Sequence, residues 1–490
     1  MSKTTAPQGI QELEPKEVWS NFYSLTQQPR PSKHEEKVRE FLVNWAKERK
    51  IECRVDKTGN VIMKKPATPG MEDRKGVVLQ AHMDMVPQAR AGKVHDFVTD
   101  PIETKIVDGW VYACDTTLGA DNGLGLAAAM AVLESKTVKH GPLEALFTTD
   151  EETGMTGAFG LKKGELDGDY LLNLDSETEG ELYVGCAGGV DATMTIPYTL
   201  EKAPKDYTAV RLTIGGLQGG HSGMDISTGR GNANKILFRT LRWVAECGIR
   251  LYKVEGGSLR NAIPRDAEAI LAFPKEHKDC ILKEFDKVAG WVKKELSTTE
   301  PDFFMSYEAI RMPQNVMTEA DTQKLINLMM VAPNGVQRMS ADMDNLVETS
   351  LNLARAYTNG KTFTLMALLR SSVDTAKDAL AERLVCLAEM AGGNCKLTGA
   401  YPGWKPNKQS GLLKTMQETY MKLYNKKPEV MAIHAGLECG LLGGKYPEME
   451  MISFGPTLKS PHSPDERANI ESVVKFYEYL LAALEAMPKK

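Results

Sequence analysis

No run of 18 apolar residues occurs in the 490-residue chain, so no membrane-spanning helix is expected. The first twenty residues are polar, with Pro7, Pro15 and several charges, and lack the apolar stretch of a secretory signal. Paired cysteines are missing as well. The eight cysteines, at 53, 114, 186, 247, 280, 386, 395 and 439, are scattered without a CxxC. That argues against a disulfide framework and against a cysteine-held zinc site. They read as reduced core thiols, and the chain is placed in the cytoplasm. Charge of one sign is also lacking. Sixty basic against 65 acidic residues leave a net charge of -5. This gives no electrostatic case for a nucleic-acid or membrane partner.

What the chain does have is a soluble composition and enough length for two or three domains. Its first 190 residues alternate strand and helix patterns. Val38, Phe41, Leu42 and Trp45 recur at helical spacing. Gly76–Gln80, Leu143–Thr148 and Tyr170–Leu174 are apolar runs of strand length, and Leu124–Leu133 is an alanine-rich helix. Alternation of this kind predicts an α/β fold with a mixed, largely parallel sheet flanked by helices. The texture changes at a connector over Leu200–Lys205. Beyond it come a half-buried strand at Ala209–Ile214 and a helix capped by Asn232. A second turn signal stands at Tyr401–Trp404, after which strand and helix alternate again to a last helix at Ile470–Met487. The expected organisation is a catalytic domain of residues 1–204 and 401–490, with an inserted α+β domain over 205–400. Within the insert, a strand at Asp266–Phe273 followed by a helix is matched by a strand at Lys361–Leu369 followed by a helix. The pattern points to a duplication.

The chemistry lies at strand ends. His82 and Asp84 follow the Val77–Leu79 strand, and Asp121 precedes the alanine-rich helix. Glu151 and Glu152 follow Leu143–Thr148, Asp175 closes Tyr170–Leu174, and His462 lies just beyond the strand at Met451–Phe454. Open α/β sheets place their sites in the crevice outside the carboxyl ends of their strands. Taken singly, each residue has an ordinary reading: a solvated Glu pair, or an Asp that caps a helix. Their convergence does not. Imidazole nitrogen and carboxylate oxygen suit zinc, and a two-metal site needs one shared carboxylate and two further ligands for each ion. His82, Asp121, Glu152, Asp175 and His462 meet that count. Glu151 is left over as a general base. Asp84 is placed to accept a hydrogen bond from the second nitrogen of His82 and fix its tautomer.

The segments Gln80–Val86, Thr117–Gly125, Thr149–Gly154, Asn173–Glu177, Gly219–Gly223 and His434–Gly440, in this order, span nearly the whole chain. Together they resemble the M20 metallopeptidases, and within them the aminoacyl-histidine (Xaa-His) dipeptidase branch. The resemblance implies a zinc-peptidase catalytic domain carrying a lid domain, and hydrolysis of dipeptides, Xaa-His among them. Two Zn²⁺ per chain are implied, for which Co²⁺ or Mn²⁺ can substitute. His82 and Asp175 would hold one ion, Glu152 and His462 the other, and Asp121 would bridge them, its peptide bond to Asn122 often being cis in such enzymes. Glu151 would activate the water, and Asp84 would orient His82. His221 would polarise the scissile carbonyl from the lid, with Asn261 and His434 near the substrate. The family's lid arginine is missing after Pro264 and is matched instead at Leu368–Ser371, which points to Arg370 as the anchor of the substrate carboxylate. The expected partner is a small peptide, and the assembly is a homodimer or a monomer whose lid is doubled. The alternatives are an amino-acid deacylase or small carboxypeptidase of the same chemistry, and a silent metal-binding scaffold. An intact Glu151 argues against the scaffold.

Overall fold

Strands buried on both faces read as continuous apolar runs, and the computed structural model, which describes residues 9–490, places three of them side by side. Val77–His82 lies between Leu143–Thr148 and Tyr170–Asn173, all parallel and buried at every residue. Glu450–Ser453 extends this parallel core beyond Tyr170–Asn173. Antiparallel strands, Glu52–Val55, Val61–Lys65 and Glu181–Cys186 among them, complete an eight-stranded mixed sheet. The helix Ala120–Glu134 packs on Val77–His82 and is buried almost all round, as its composition demands. Residues 1–8, part of the 1–204 segment, lie outside the described residues.

The chain divides into two compact units. The first comprises residues 1–185, 406–432 and 437–490, and the second 186–405 with 433–436. The division thus falls at Gly185/Cys186, well before the connector read at Leu200–Lys205. The reason is pairing: Gly188–Pro197 runs antiparallel to Thr362–Ser371 along its whole length and belongs to the second sheet. Leu200–Lys202 is itself a short strand, paired with Asn315–Met317.

The second unit displays the duplication. Its nine-stranded sheet holds two βαββαβ repeats. The inner repeat runs through the strand Tyr207–Gly215, helix Ala233–Trp243, strands Arg250–Gly256 and Ala267–Pro274, helix Lys278–Glu295 and strand Phe304–Ile310. The outer repeat begins at Gly188–Pro197 and is interrupted by the whole inner one. It resumes with helix Glu319–Val331, strands Val347–Asn359 and Thr362–Ser371, helix Asp374–Met390 and strand Asn394–Tyr401. In each repeat the strands stand in spatial order fourth, first, third, second. The two second strands meet edge to edge, antiparallel, at Glu255↔Tyr357 and Gly256↔Ala356. One hydrophobic core, from Phe238 and Phe285 to Phe363 and Leu384, runs under both repeats.

Asn232 caps its helix as expected, its side chain accepting from the Lys235 N–H. No helix of the described residues is long and apolar enough to cross a membrane. No disulfide links any of the eight cysteines. They are not all core thiols, however. Cys280 and Cys386 are exposed on helices, where only one face is buried.

Candidate active site

In the first unit, the parallel strands end together, and the next residues of each turn toward one point. His82 is the last residue of its strand, and Asp175 lies two beyond Tyr170–Asn173. Glu151 and Glu152 open a short helix, Glu151–Gly154, rather than a loop, after Asp150 turns the chain at a φ of 52°. Asp121 sits where the helix Ala120–Glu134 is interrupted, with non-helical backbone at Asp121 and Asn122 and a cis peptide between them. Its side chain caps nothing and enters the cluster. His462 occupies the turn of the hairpin formed by Leu458–Lys459 and Arg467–Asn469, at a φ of 59°.

Asp121 stands at the centre of the cluster. Its Oδ1 lies 3.0 Å from His82 Nε2 and its Oδ2 3.0 Å from His462 Nε2. His82 Nε2 is also 3.4 Å from Asp175 Oδ1, and His462 Nε2 is 3.2 Å from Glu152 Oε2. Two ligand-like groups therefore share Asp121: His82–Asp121–Asp175 and Asp121–Glu152–His462. Glu151 gathers with His82 and Glu152 in a third group. Asp84, fully buried, accepts the Glu151 N–H at 3.0 Å and the Glu152 N–H at 3.2 Å. Its Oδ1 lies 3.4 Å from His82 Nδ1, whose closer partner is the Asp84 carbonyl at 3.1 Å.

The electrostatics follow from crowding carboxylates out of water. Burial works against charge on His82, yet Asp175 and Asp121 outweigh it and hold the imidazole well above its ordinary value. Hydrogen bonds to Asp121 and Glu152 push His462 up to about 11. Burial raises Glu152 and Asp175, and it drives Glu151 well above the carboxylate range, with Asp175, Glu438 and Glu152 adding repulsion. Burial would raise Asp121 too, but its two histidines hold it low. Four carboxylates and two imidazoles crowd one pocket, and among the described residues Glu152 Oε1 is buried there without a hydrogen-bond partner. An all nitrogen and oxygen donor set with a surplus of negative charge fits divalent cations.

The residues read as substrate-binding lie in the second unit. Arg370 is 5% exposed. Its guanidinium reaches Ser222 Oγ at 3.4 Å, Tyr401 Oη at 3.2 Å and His221 Nε2 at 3.4 Å, and forms no ion pair with a carboxylate among the described residues. His221 Nδ1 accepts the N–H groups of Gly223 and Met224 at 3.3 and 3.2 Å, so Nε2 carries the ring proton. Nε2–H and the guanidinium are thus two donors that converge without an acceptor between them. His434 is buried against Ser350 Oγ at 2.7 Å, and its carbonyl would meet a Cβ on Gly223 at 2.2 Å, which is why that position is glycine. Asn261 is brought beside His221 through its backbone, its carbonyl accepting the Ser222 N–H at 2.8 Å. Its side chain is exposed.

Sequence reasoning overlooked a polar layer beneath the cluster. Gln80, Thr148 and Asn173 sit at buried positions just inward of His82, Glu151 and Asp175. Glu438 accepts from Gln80 Nε2 at 2.6 Å and from Thr148 Oγ1 at 2.7 Å, and Asn173 donates to Gln80 Oε1. The signal was available: a Gln and an Asn inside apolar strands, each two residues before a ligand-type side chain and so on its face. Tyr401 was read only as part of a turn. Glycines at 189 and 436 leave the room its ring fills, since a Cβ there would meet the ring at 2.6 and 3.2 Å.

The sequence signature described as peptidase family M20/M25/M40 matches residues 78–486. The chain belongs to this family. As an M20 peptidase it is 44% identical, over 98% of its length and 99% of the relative's, to the cytosol non-specific dipeptidase of Escherichia coli K12. Its fold superposes on the crystal structure of aminoacylhistidine dipeptidase from Vibrio alginolyticus with a TM-score of 0.94, at 48% identity and 99% coverage of both chains. Aminopeptidase PepT from Bacillus cereus shares the fold alone, at 17% identity and a TM-score of 0.56 over 97% of this chain and 99% of that one.

Proposed function

We propose that this M20 peptidase, a peptide hydrolase by family, splits dipeptides in the cytoplasm with two divalent metal ions, zinc in the first place. The named activities of its two near relatives support the substrate class. The observation that carries the reading is Asp121, whose two carboxylate oxygens address two histidines from opposite sides. His82 and Asp175 would hold one ion, Glu152 and His462 the other, and Asp121 both. When bound, such ions supply Lewis acidity and lower the pKa of water to about 7.

The rest is the work of the chain itself. Glu151 takes a proton from the attacking water and delivers it to the leaving amine. Asp84 orients the His82 ring and, through two N–H groups, fixes the turn that carries Glu151 and Glu152. Arg370, a buried cation with only neutral partners, receives the C-terminal carboxylate of the substrate. His221, protonated at Nε2, donates to the scissile carbonyl oxygen as charge develops there. Asn261 and His434 border the same substrate end. Both repeats of the second unit lie in one chain, so a single chain supplies His221 and Arg370 together.

The test is Glu151→Gln. Its kcat on a dipeptide falls about 10²–10⁴-fold, the usual effect of removing an acid–base group, while metal content is kept. Turnover near the parent value would refute the role of Glu151. Activity on N-acyl amino acids above that on Xaa-His dipeptides would refute the substrate class.

A further inference from the structure

Asp121 can serve two neighbours only if its backbone is fixed, and the N–H groups of the loop before it have no helical acceptors to fix it. The hairpin that carries His462 supplies them. Glu466, four residues on and 2% exposed, turns its carboxylate onto the loop and accepts four consecutive N–H groups. Oε2 takes those of Leu118 and Gly119 at 2.8 and 3.0 Å, and Oε1 takes those of Ala120 and Asp121 at 2.7 and 3.3 Å. The loop is gripped from the other side by Arg30, also 2% exposed. Its guanidinium donates to the Gly119 carbonyl at 2.6 Å, and to the carbonyls of Met83 at 3.0 Å and Asp84 at 3.1 Å, just past His82. A Cβ at Gly119 would meet the Arg30 guanidinium at 2.7 Å and Met85 Sδ at 2.8 Å, and one at Gly123 would meet the guanidinium at 2.6 Å. Gly119 also holds a φ of 70°. Glycine at both positions is what admits the arginine.

We propose that Glu466 is a positioning residue that, with Arg30, clamps the 118–121 loop and so holds the Asp121 carboxylate between His82 and His462. The hairpin grips Asp121 twice, by its side chain through His462 and by its main chain through Glu466. A shift of the hairpin therefore moves both halves of the pair together. The proposal rests on the metal reading above.

In Glu466→Gln one oxygen becomes an amide that faces N–H donors instead of accepting from them. Metal-free parent and variant are titrated with Zn²⁺ in competition with a chromophoric chelator, and kcat and KM are measured on the zinc-loaded forms. Zinc affinity falls about 10–100-fold, as for other groups that orient ligands. On the zinc-loaded form kcat falls while KM stays within about twofold, because Arg370 is untouched. Parental zinc affinity in the variant overturns the proposal, whether or not the thermal midpoint of the metal-free protein drops. If Glu466→Gln does not fold, Glu466→Asp carries the test. Its carboxylate is withdrawn by one methylene and cannot reach all four N–H groups, so its affinity falls as well, and parental affinity again overturns the clamp. A parent that binds no Zn²⁺ removes the metal reading and the clamp together, whereas binding that is equal in parent and variants removes the clamp alone.

Discussion

His434 shows how far burial can move a single residue. Desolvation first, then the Arg370 charge, bring its imidazole down to about 3. The groups that face it are Ser350, which shares a 2.7 Å hydrogen bond, the backbone of Val347, the Arg370 guanidinium and the imidazole of His221. Its folded pKa lies below the unfolded value near 6.5, so below that value the folded state binds fewer protons than the unfolded one. Stability is therefore unaffected by His434 above pH 6.5. It is lost as pH falls from there toward 3, by at most about 1.4 kcal/mol per pH unit. Urea midpoints of parent and His434→Gln, compared across that window, should converge on acidification, and a constant gap between them would contradict the shift. From the resemblance His434 is expected only to lie near the substrate. The structure gives it a buried serine as partner and a glycine loop pressed on its carbonyl, which no local pattern announces.

Among the elements, the parallel strands were the most legible. Gly76–Gln80, Leu143–Thr148 and Tyr170–Leu174 are mostly apolar because both faces are covered, and each stands within a residue or two of its expected place. Polar residues within them carry a further message. Glu438, at the start of the helix Glu438–Lys445, ties Gln80 to Thr148 across two strands. Replacing it by leucine removes the acceptor that Gln80 and Thr148 share in a buried layer. Loss of about 1–3 kcal/mol of stability is expected, read as a lower urea midpoint. An unchanged midpoint would show that the network contributes nothing. Less legible was the end of the first domain. Gly188–Pro197 alternates like any half-buried strand, and only its partner, Thr362–Ser371, assigns it to the second sheet. Pairing across that much sequence depends on closing a long loop, and local composition does not encode it.

At the scale of the whole molecule, duplication decides where the two proposed substrate-binding groups come from. His221 belongs to the inner repeat and Arg370 to the outer, and they stand 3.4 Å apart within one chain. His221→Ala and Arg370→Ala should each lose activity, the second mainly through a higher KM for dipeptides. Mixing the two variants should restore nothing. Recovery on mixing would mean that subunits share their residues in a dimer.

The sequence by itself determined the strands of the parallel core and the alanine-rich helix, and it singled out seven side chains, His82, Asp84, Asp121, Glu151, Glu152, Asp175 and His462, that lie close together in the fold. Strand periodicity is local, and a reactive side chain beyond a strand end is visible from its neighbours alone. Only the tertiary structure decided that one repeat is threaded into the other, that Glu466 and Arg30 hold the Asp121 loop, and that Tyr401 supports Arg370. Each of these is a contact between residues distant in the chain, made by backbone amides, carbonyls or a phenol hydroxyl. Such contacts depend on where the chain returns in space, because every residue has an amide and almost any sequence can present one.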